Sequence, residues 1–214
     1  MDMERLLSNY PALEECRESM EKTYTVLEKS FENGGRLLLC GNGGSAADCE
    51  HIVGELMKSF LLKRPMTGDM ALRFASFGED GRELFQKLER GLPAISLCGH
   101  SSLSTAFGND KDASMTFAQQ VFGYGRAGDV LLALSTSGNS KNCVYAAETA
   151  KALGMKVVSI TGKGGGRLAL LSDVCIALPE TETFRVQELT LPVYHWLCAA
   201  LEKHFFASAE TAKN

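Results

Sequence analysis

The chain has 214 residues, 45% of them hydrophobic and 22% charged, with a formal net charge of −4. This is the balance of a soluble globular protein with one sizeable core, and the lack of a long Lys/Arg run argues against a nucleic-acid surface. No apolar run approaches the roughly 18 residues needed to cross a bilayer, which argues against a membrane protein.

The seven cysteines (Cys16, Cys40, Cys49, Cys98, Cys143, Cys175 and Cys198) are scattered, odd in number and free of CxxC spacing. That usage fits a reducing cytoplasm rather than a disulfide framework. The opening MDMERLLSNY carries acidic residues and no long apolar centre, unlike a secretory signal. From Pro11 to Asn33 the spacing of Leu13, Cys16, Met20, Leu27 and Phe31 predicts one long amphipathic helix, with Pro11 at its start and Gly34–Gly35 as its stop. A helix this long ahead of the first strand outruns what a sheet covers, so its stripe is expected to pack partly against a second copy.

Arg36 to Glu55 then reads as strand, turn and helix. Leu37–Cys40 is a continuous apolar run, as in a strand buried on both faces. Gly41, Gly43 and Gly44 permit a tight turn, and Ser45 is expected to cap the helix that follows. The remainder repeats the theme. Apolar runs at Pro93–Leu97, Val130–Leu134, Lys156–Ile160 and Val174–Leu178 predict strands, with helices over Lys111–Gly123, Ser140–Leu153, Arg167–Ser172 and Thr183–Phe206. Alternation of this kind implies right-handed crossovers and a three-layer α/β sandwich around a five-stranded parallel sheet. Pro192 inside the last helix removes a backbone hydrogen bond and predicts a kink. Met66–Gly91 is too long for an ordinary connection and is expected to form two short helices near the sheet edge. No linker divides the chain, so residues 1–214 are expected to form one domain, with 1–35 as an oligomerisation helix and 66–91 as an insert.

In a parallel α/β sheet, ligands bind beyond the carboxyl ends of the strands. Two strand ends carry phosphate-friendly turns: GNGGS (Gly41–Ser45), and STSGNS with Ser135, Thr136, Ser137 and Ser140. Each opens a helix whose first N–H groups lack partners, and each taken alone is also an ordinary turn. Neither GxxxxGK[ST] nor GxGxxG occurs. Thr161–Gly166, with Lys163, is a third glycine-rich turn without the hydroxyl cluster. His51 and Glu55 stand four apart on one helical face, and Gln187 and His195 eight apart on one stripe. A solvated ion pair and a core histidine are the plainer readings of these two pairs, and Asn109–Asp110 reads equally as a loop cap.

Taken together, LCGNGGSAAD–HIVGEL, FGND, GDVLLALSTSGNS, GMKVVSITGK and RVQELTLPVYH resemble the phosphoheptose isomerases of the sugar isomerase (SIS) domain superfamily, over about Asn33 to Leu201. The resemblance implies a flavodoxin-like SIS fold and conversion of sedoheptulose 7-phosphate to D-glycero-D-manno-heptose 7-phosphate. It also implies a homotetramer with active sites shared between subunits. It assigns proton transfer to Glu55 and His195. It assigns substrate binding to Asn42, Gly43, Gly44, Ser45, Asn109, Asp110, Ser135, Thr136, Ser137, Ser140 and Gln187, and zinc binding to His51, Glu55, Gln187 and His195. About 12 Å of helix separates Gln187 from His195, which strains a shared ion. Two features depart from the family: the length of the 66–91 insert, and Phe184 where an acidic residue is common. The competing readings are a non-catalytic SIS protein that binds the replication initiator and an isomerase of another phosphosugar. A sugar-phosphate-sensing regulator would carry an added DNA-binding domain. The presence of both Glu55 and His195 favours an enzyme.

Overall fold

The computed structural model describes residues 2–207; of the domain expected over 1–214, residue 1 and residues 208–214 lie outside the described residues. Five strands form one parallel sheet: β1 (Leu37–Gly41), β2 (Ala94–Ser96), β3 (Val130–Ser135), β4 (Lys156–Thr161) and β5 (Val174–Ala177). Their order is β2-β1-β3-β4-β5, the flavodoxin-like arrangement. Each expected strand is present within a residue or two of its predicted bounds. These runs are legible because the central strands are buried on both faces; every residue of β1 and β3 is buried.

Helices α1 (Met3–Asn9), α2 (Arg17–Glu32), α3 (Gly44–Met57) and α10 (Thr183–Phe206) belong to one face. Their apolar residues join Leu37, Leu39, Leu132 and Val158 of the sheet. On the other face α7 (Thr116–Tyr124), α8 (Lys141–Ala152) and α9 (Gly166–Leu171) meet Leu38, Cys40, Leu131, Ala133 and Val157. Alternate strand residues therefore serve opposite layers, each fully buried leucine contributing about 1.5–3 kcal/mol of transfer free energy. The remaining helices are α4 (Gly68–Ala75) and α5 (Gly78–Lys87), which form the expected insert ahead of edge strand β2, and α6 (Ser101–Phe107).

Three expectations are corrected. The leading segment is not one helix: α1 comes first, and Pro11–Cys16 is a tight 3₁₀ stretch before α2 begins at Arg17. Its apolar stripe is not free for a second copy either, since Leu13, Cys16, Met20, Leu27 and Phe31 are all buried in the chain's own core. The helix expected from Lys111 starts only at Thr116; a wide π turn (Gly108–Asp112) and a 3₁₀ turn (Ala113–Met115) precede it. The Asp112 carboxylate accepts from the Ser114 N–H at 2.7 Å, and that side-chain cap competes with helix continuation. By contrast α10 has its expected bounds and runs on through Pro192.

Loop 58–65 leaves α3 and is pinned to α10 by a buried ion pair. Arg64 Nε donates to Glu202 Oε1 at 2.8 Å, and both side chains are fully buried. The Glu202 carboxylate also accepts from the N–H groups of Phe60, Leu61 and Leu62 at 2.7–3.1 Å. Arg64 spends its other nitrogens on the carbonyls of Leu56 (2.6 Å) and Glu55 (2.9 Å), two of the orphan acceptors at the end of α3. Every charge in this pair is thereby met by hydrogen bonds, the condition under which a buried ion pair is tolerated. Just beyond it, an isolated antiparallel bridge between Pro65 and Glu89 closes the neck of the α4–α5 insert.

Candidate active site

The strand order reverses at β1, which opens a crevice between the carboxyl ends of β1 and β3. Both turns singled out in the sequence line it. After β1, Gly43 takes φ +55° and itself stands at the N-cap of α3. Ser45, expected there, instead lies buried in the first turn of α3. A Cβ on Gly44 would overlap the Gln187 amide, so glycine is what lets α10 come this close. Asn42 and Asn142 exchange amide hydrogen bonds at 3.0 and 2.8 Å, tying the first turn to α8.

After β3, the Ser135 and Ser140 hydroxyls meet at 2.8 Å, and Gly138 turns the chain with φ +65°. The third glycine-rich turn supports the second from outside. The Gly162 N–H donates to the Thr136 carbonyl at 2.9 Å, Leu168 N–H to the Gly138 carbonyl at 3.0 Å, and Arg167 N–H to Asn139 Oδ1 at 3.0 Å. The cleft so formed holds about 280 Å³ and brings together Asn42–Ser45, Ser135, Thr136, Ser140 and Gln187, with Thr183 at its rim. Small residues, hydroxyls and the N-termini of α3 and α8 converge there, an arrangement suited to an anion such as phosphate.

Three residues assigned to substrate binding by resemblance lie elsewhere. Ser137 is exposed and its Oγ accepts from the Asn139 N–H at 3.1 Å, shaping the loop rather than lining the cleft. Asn109 and Asp110 stand exposed on the π turn, hydrogen-bonded to each other at 3.0 Å, outside the cleft. Phe184 is also half open to solvent, with the Arg185 guanidinium 5.3 Å from its ring centroid.

A second cluster sits where α3 and α10 pack. His51 Nε2 contacts Glu55 Oε1 at 3.0 Å, and the His51 and His195 rings lie edge to face with centroids 5.1 Å apart. The other carboxylate oxygen, Glu55 Oε2, is buried with no hydrogen-bond partner. Sequence reading missed two supporting residues. The Tyr194 hydroxyl contacts His51 Nδ1 at 2.9 Å and Asp48 Oδ1 at 3.3 Å, and so fixes the orientation of the imidazole. A tyrosine within the apolar PVYHW run was the one available signal, since a buried phenol usually finds a partner. Burial, with a smaller contribution from His51, pushes the His195 imidazole below its usual range. Burial also raises the carboxyl of Asp48 and, first among several causes, the phenol of Tyr194.

The donors of this cluster fit zinc chemically: two imidazoles and a carboxylate with one oxygen unsatisfied. Two ligands at tetrahedral angles around zinc stand roughly 3.3 Å apart, close to the observed 3.0 Å between His51 Nε2 and Glu55 Oε1. Among the described residues no three His, Cys, Asp or Glu side chains already close on one point. Gln187 lies toward the cleft, roughly 12 Å along α10 from His195.

The β2-β1-β3-β4-β5 sheet with phosphate-suited turns at its switch point is a flavodoxin-like ligand-binding domain, and the sequence matches the SIS domain family over residues 2–91 and 81–162. A phosphoheptose isomerase of Helicobacter pylori (strain P12) is 38% identical over 194 residues, covering 91% of this chain and 88% of the relative. One of Rhodospirillum rubrum is 37% identical over 190 residues, covering 89% and 88%. Among solved structures, phosphoheptose isomerase GmhA from Neisseria gonorrhoeae superposes with a TM-score of 0.72 at 30% identity, covering 94% of this chain and 98% of that one. A phosphoheptose isomerase from Francisella tularensis gives 0.74 at 28% identity, covering 95% and 100%. The chain belongs to the phosphoheptose isomerase family and is a sugar-phosphate isomerase.

Proposed function

We propose that the chain interconverts sedoheptulose 7-phosphate and D-glycero-D-manno-heptose 7-phosphate through an enediol, with Glu55 and His195 moving the protons. The observation that carries the residue assignment is the unpartnered, buried Glu55 Oε2 beside two imidazoles. A carboxylate oxygen shielded from water with nothing to accept from is free to take a proton from carbon. Glu55 removes the C1 proton of the ketose and returns it to C2, while His195 gives a proton to the C2 oxygen and takes one from the C1 hydroxyl. The phosphate rests on Ser135, Thr136, Ser140 and the amides at the start of α8. Asn42 and the backbone of Gly43 and Gly44 hold the sugar hydroxyls.

Cleft and proton-transfer cluster stand apart within one chain. Gly44 and Glu55 are eleven positions apart along α3, roughly 16 Å of helix. This separation supports a site completed by a second copy within a homotetramer. Zinc would be held by His51, Glu55 and His195, with Gln187 of a second copy as the fourth donor. When bound, it would supply a Lewis acid for the negative charge that develops on oxygen. A cytoplasmic location agrees with the scattered free cysteines; among the described residues, no helix is long and apolar enough to cross a membrane.

The experiment is a panel of ketose phosphates, including sedoheptulose 7-phosphate, assayed for isomer formation with protein as purified, stripped by a chelator and resupplied with Zn²⁺, with its mass measured by light scattering. The expected result is turnover of the heptose phosphate by a tetramer, lost on stripping and regained with zinc. Inactivity across the panel overturns the substrate, activity indifferent to stripping overturns zinc, and a monomeric mass overturns the shared site.

A further inference from the structure

We infer that Arg64 and Glu202 form a clasp that sets the position of Glu55, making Arg64 a positioning residue for proton transfer rather than only a structural ion pair. The inference rests on the isomerase reading and concerns how its base is aimed.

Glu55 stands in the last turn of α3, which ends at Met57. A final helical turn has four carbonyls without intrahelical partners and is where a helix ordinarily frays. Here the turn holds a reacting side chain, yet no glycine or asparagine motif closes it; the cap residue, Lys58, is extended. Arg64 does most of that work from a distance, with the Leu92 N–H as a second donor to the Leu56 carbonyl at 2.9 Å. Its two terminal nitrogens take the Glu55 and Leu56 carbonyls, at 2.9 and 2.6 Å, while Nε holds Glu202. The guanidinium is itself fixed from one side by the Phe206 ring, whose centroid is 4.6 Å away. A planar fork with five donors can satisfy two carbonyls and a carboxylate at once, which an ammonium cannot do in the same geometry.

The other half of the clasp explains why α10 is involved. Glu202 lies seven residues after His195, two turns along the same face. The guanidinium that grips the backbone of Glu55 is thus bonded to the helix that carries His195. One buried cation fixes the separation of the two helices just beyond the point where Glu55, His51 and His195 meet. Neither Arg64 nor Glu202 hydrogen-bonds to the cluster's side chains, so the effect is transmitted through the last turn of α3.

The test compares R64K and E202Q with the wild-type chain. Three quantities are read in each: kcat and KM for sedoheptulose 7-phosphate, stoichiometry and Kd for inorganic phosphate, and the imidazole ¹⁵N signals of His51, assigned with H51Q. A loosened clasp is expected to lower kcat tenfold or more in both variants. KM and phosphate binding should stay within about twofold, because the cleft at the far end of α3 is untouched. The His51 signals, which sense its 3.0 Å contact with Glu55, should move whether or not turnover is detectable. A folded variant with kcat within twofold of wild type, or His51 signals unchanged, overturns the inference. So does a fall in kcat matched by an equal fall in phosphate stoichiometry, since that is simple loss of folded protein. Failure of both variants to fold would make the pair a folding requirement and overturn it too. A wild-type chain inactive on the heptose phosphate would count against the isomerase reading alone, the His51 signals still deciding the clasp.

Discussion

The two ends of α3 are built by opposite means. At its N-terminus the cleft is made of glycines, hydroxyls and backbone amides, tied by short local bonds such as the 2.8 Å contact of Ser135 with Ser140. At its C-terminus the cluster is made of large side chains from α3 and α10, aimed by a phenol and a fully buried ion pair. An anion whose charge is spread over several oxygens is met well by many small dipoles, each contributing modestly. Proton transfer between carbons depends on one oxygen being placed within a fraction of an ångström. The cleft should therefore degrade gradually under substitution and the cluster abruptly.

The comparison is broken first at the cluster. Glu55→Gln keeps shape and removes the base; turnover is expected to fall by about a hundred- to ten-thousand-fold with the phosphate affinity intact. Retained turnover would reassign the base. Gly138→Ala should be the most damaging single change at the cleft, because the added Cβ meets the Gly165 carbonyl and φ is +65°. A stability loss of about 1–3 kcal/mol is expected by chemical denaturation, with KM rising by more than kcat falls. Ser140→Ala leaves Ser135 without its partner and should cost about 1 kcal/mol, roughly a fivefold rise in KM, with kcat unchanged. The smallest effect is expected from replacing residues 67–88 with a short turn across the Pro65–Glu89 bridge. Helix α4 buries no residue and α5 only Gly81, so kcat/KM should stay within threefold. A larger loss would show that the insert covers the substrate.

The same contrast explains what could be read from sequence. Strands declare themselves through local composition: Leu37–Cys40 and Val130–Leu134 are apolar because both faces are buried. The two turns are equally local, which is why Asn42–Ser45 and the hydroxyls of Ser135, Thr136 and Ser140 were found. Side chains that act across the fold left almost no mark. Tyr194 within the PVYHW run, Arg64 ahead of Pro65 and Glu202 late in the last helix carry no local pattern that sets them apart, although the last two are fully buried. Their partners are 138 residues apart in the chain, beyond the reach of any spacing rule. Short helices were lost for another reason. Ser101–Phe107 is rich in Ser and Thr, poor helix formers in isolation, and carries no buried residue to give it a stripe. Pro11 was placed correctly at a start, but of a 3₁₀ stretch rather than of the long helix.

Helix α10 carries Gln187 against the cleft, His195 at the cluster and Glu202 in the clasp, at intervals of eight and seven residues. Adding or deleting one residue between the first and last of these would rotate one end against the other by about 100° and misalign at least one of the three. This segment is therefore a rigid ruler whose length is under tight constraint. The chain between Pro65 and Glu89, whose ends already lie side by side, is free to vary in length. Among enzymes built on this plan, insertions and deletions should accumulate at that neck and be absent from the ruler.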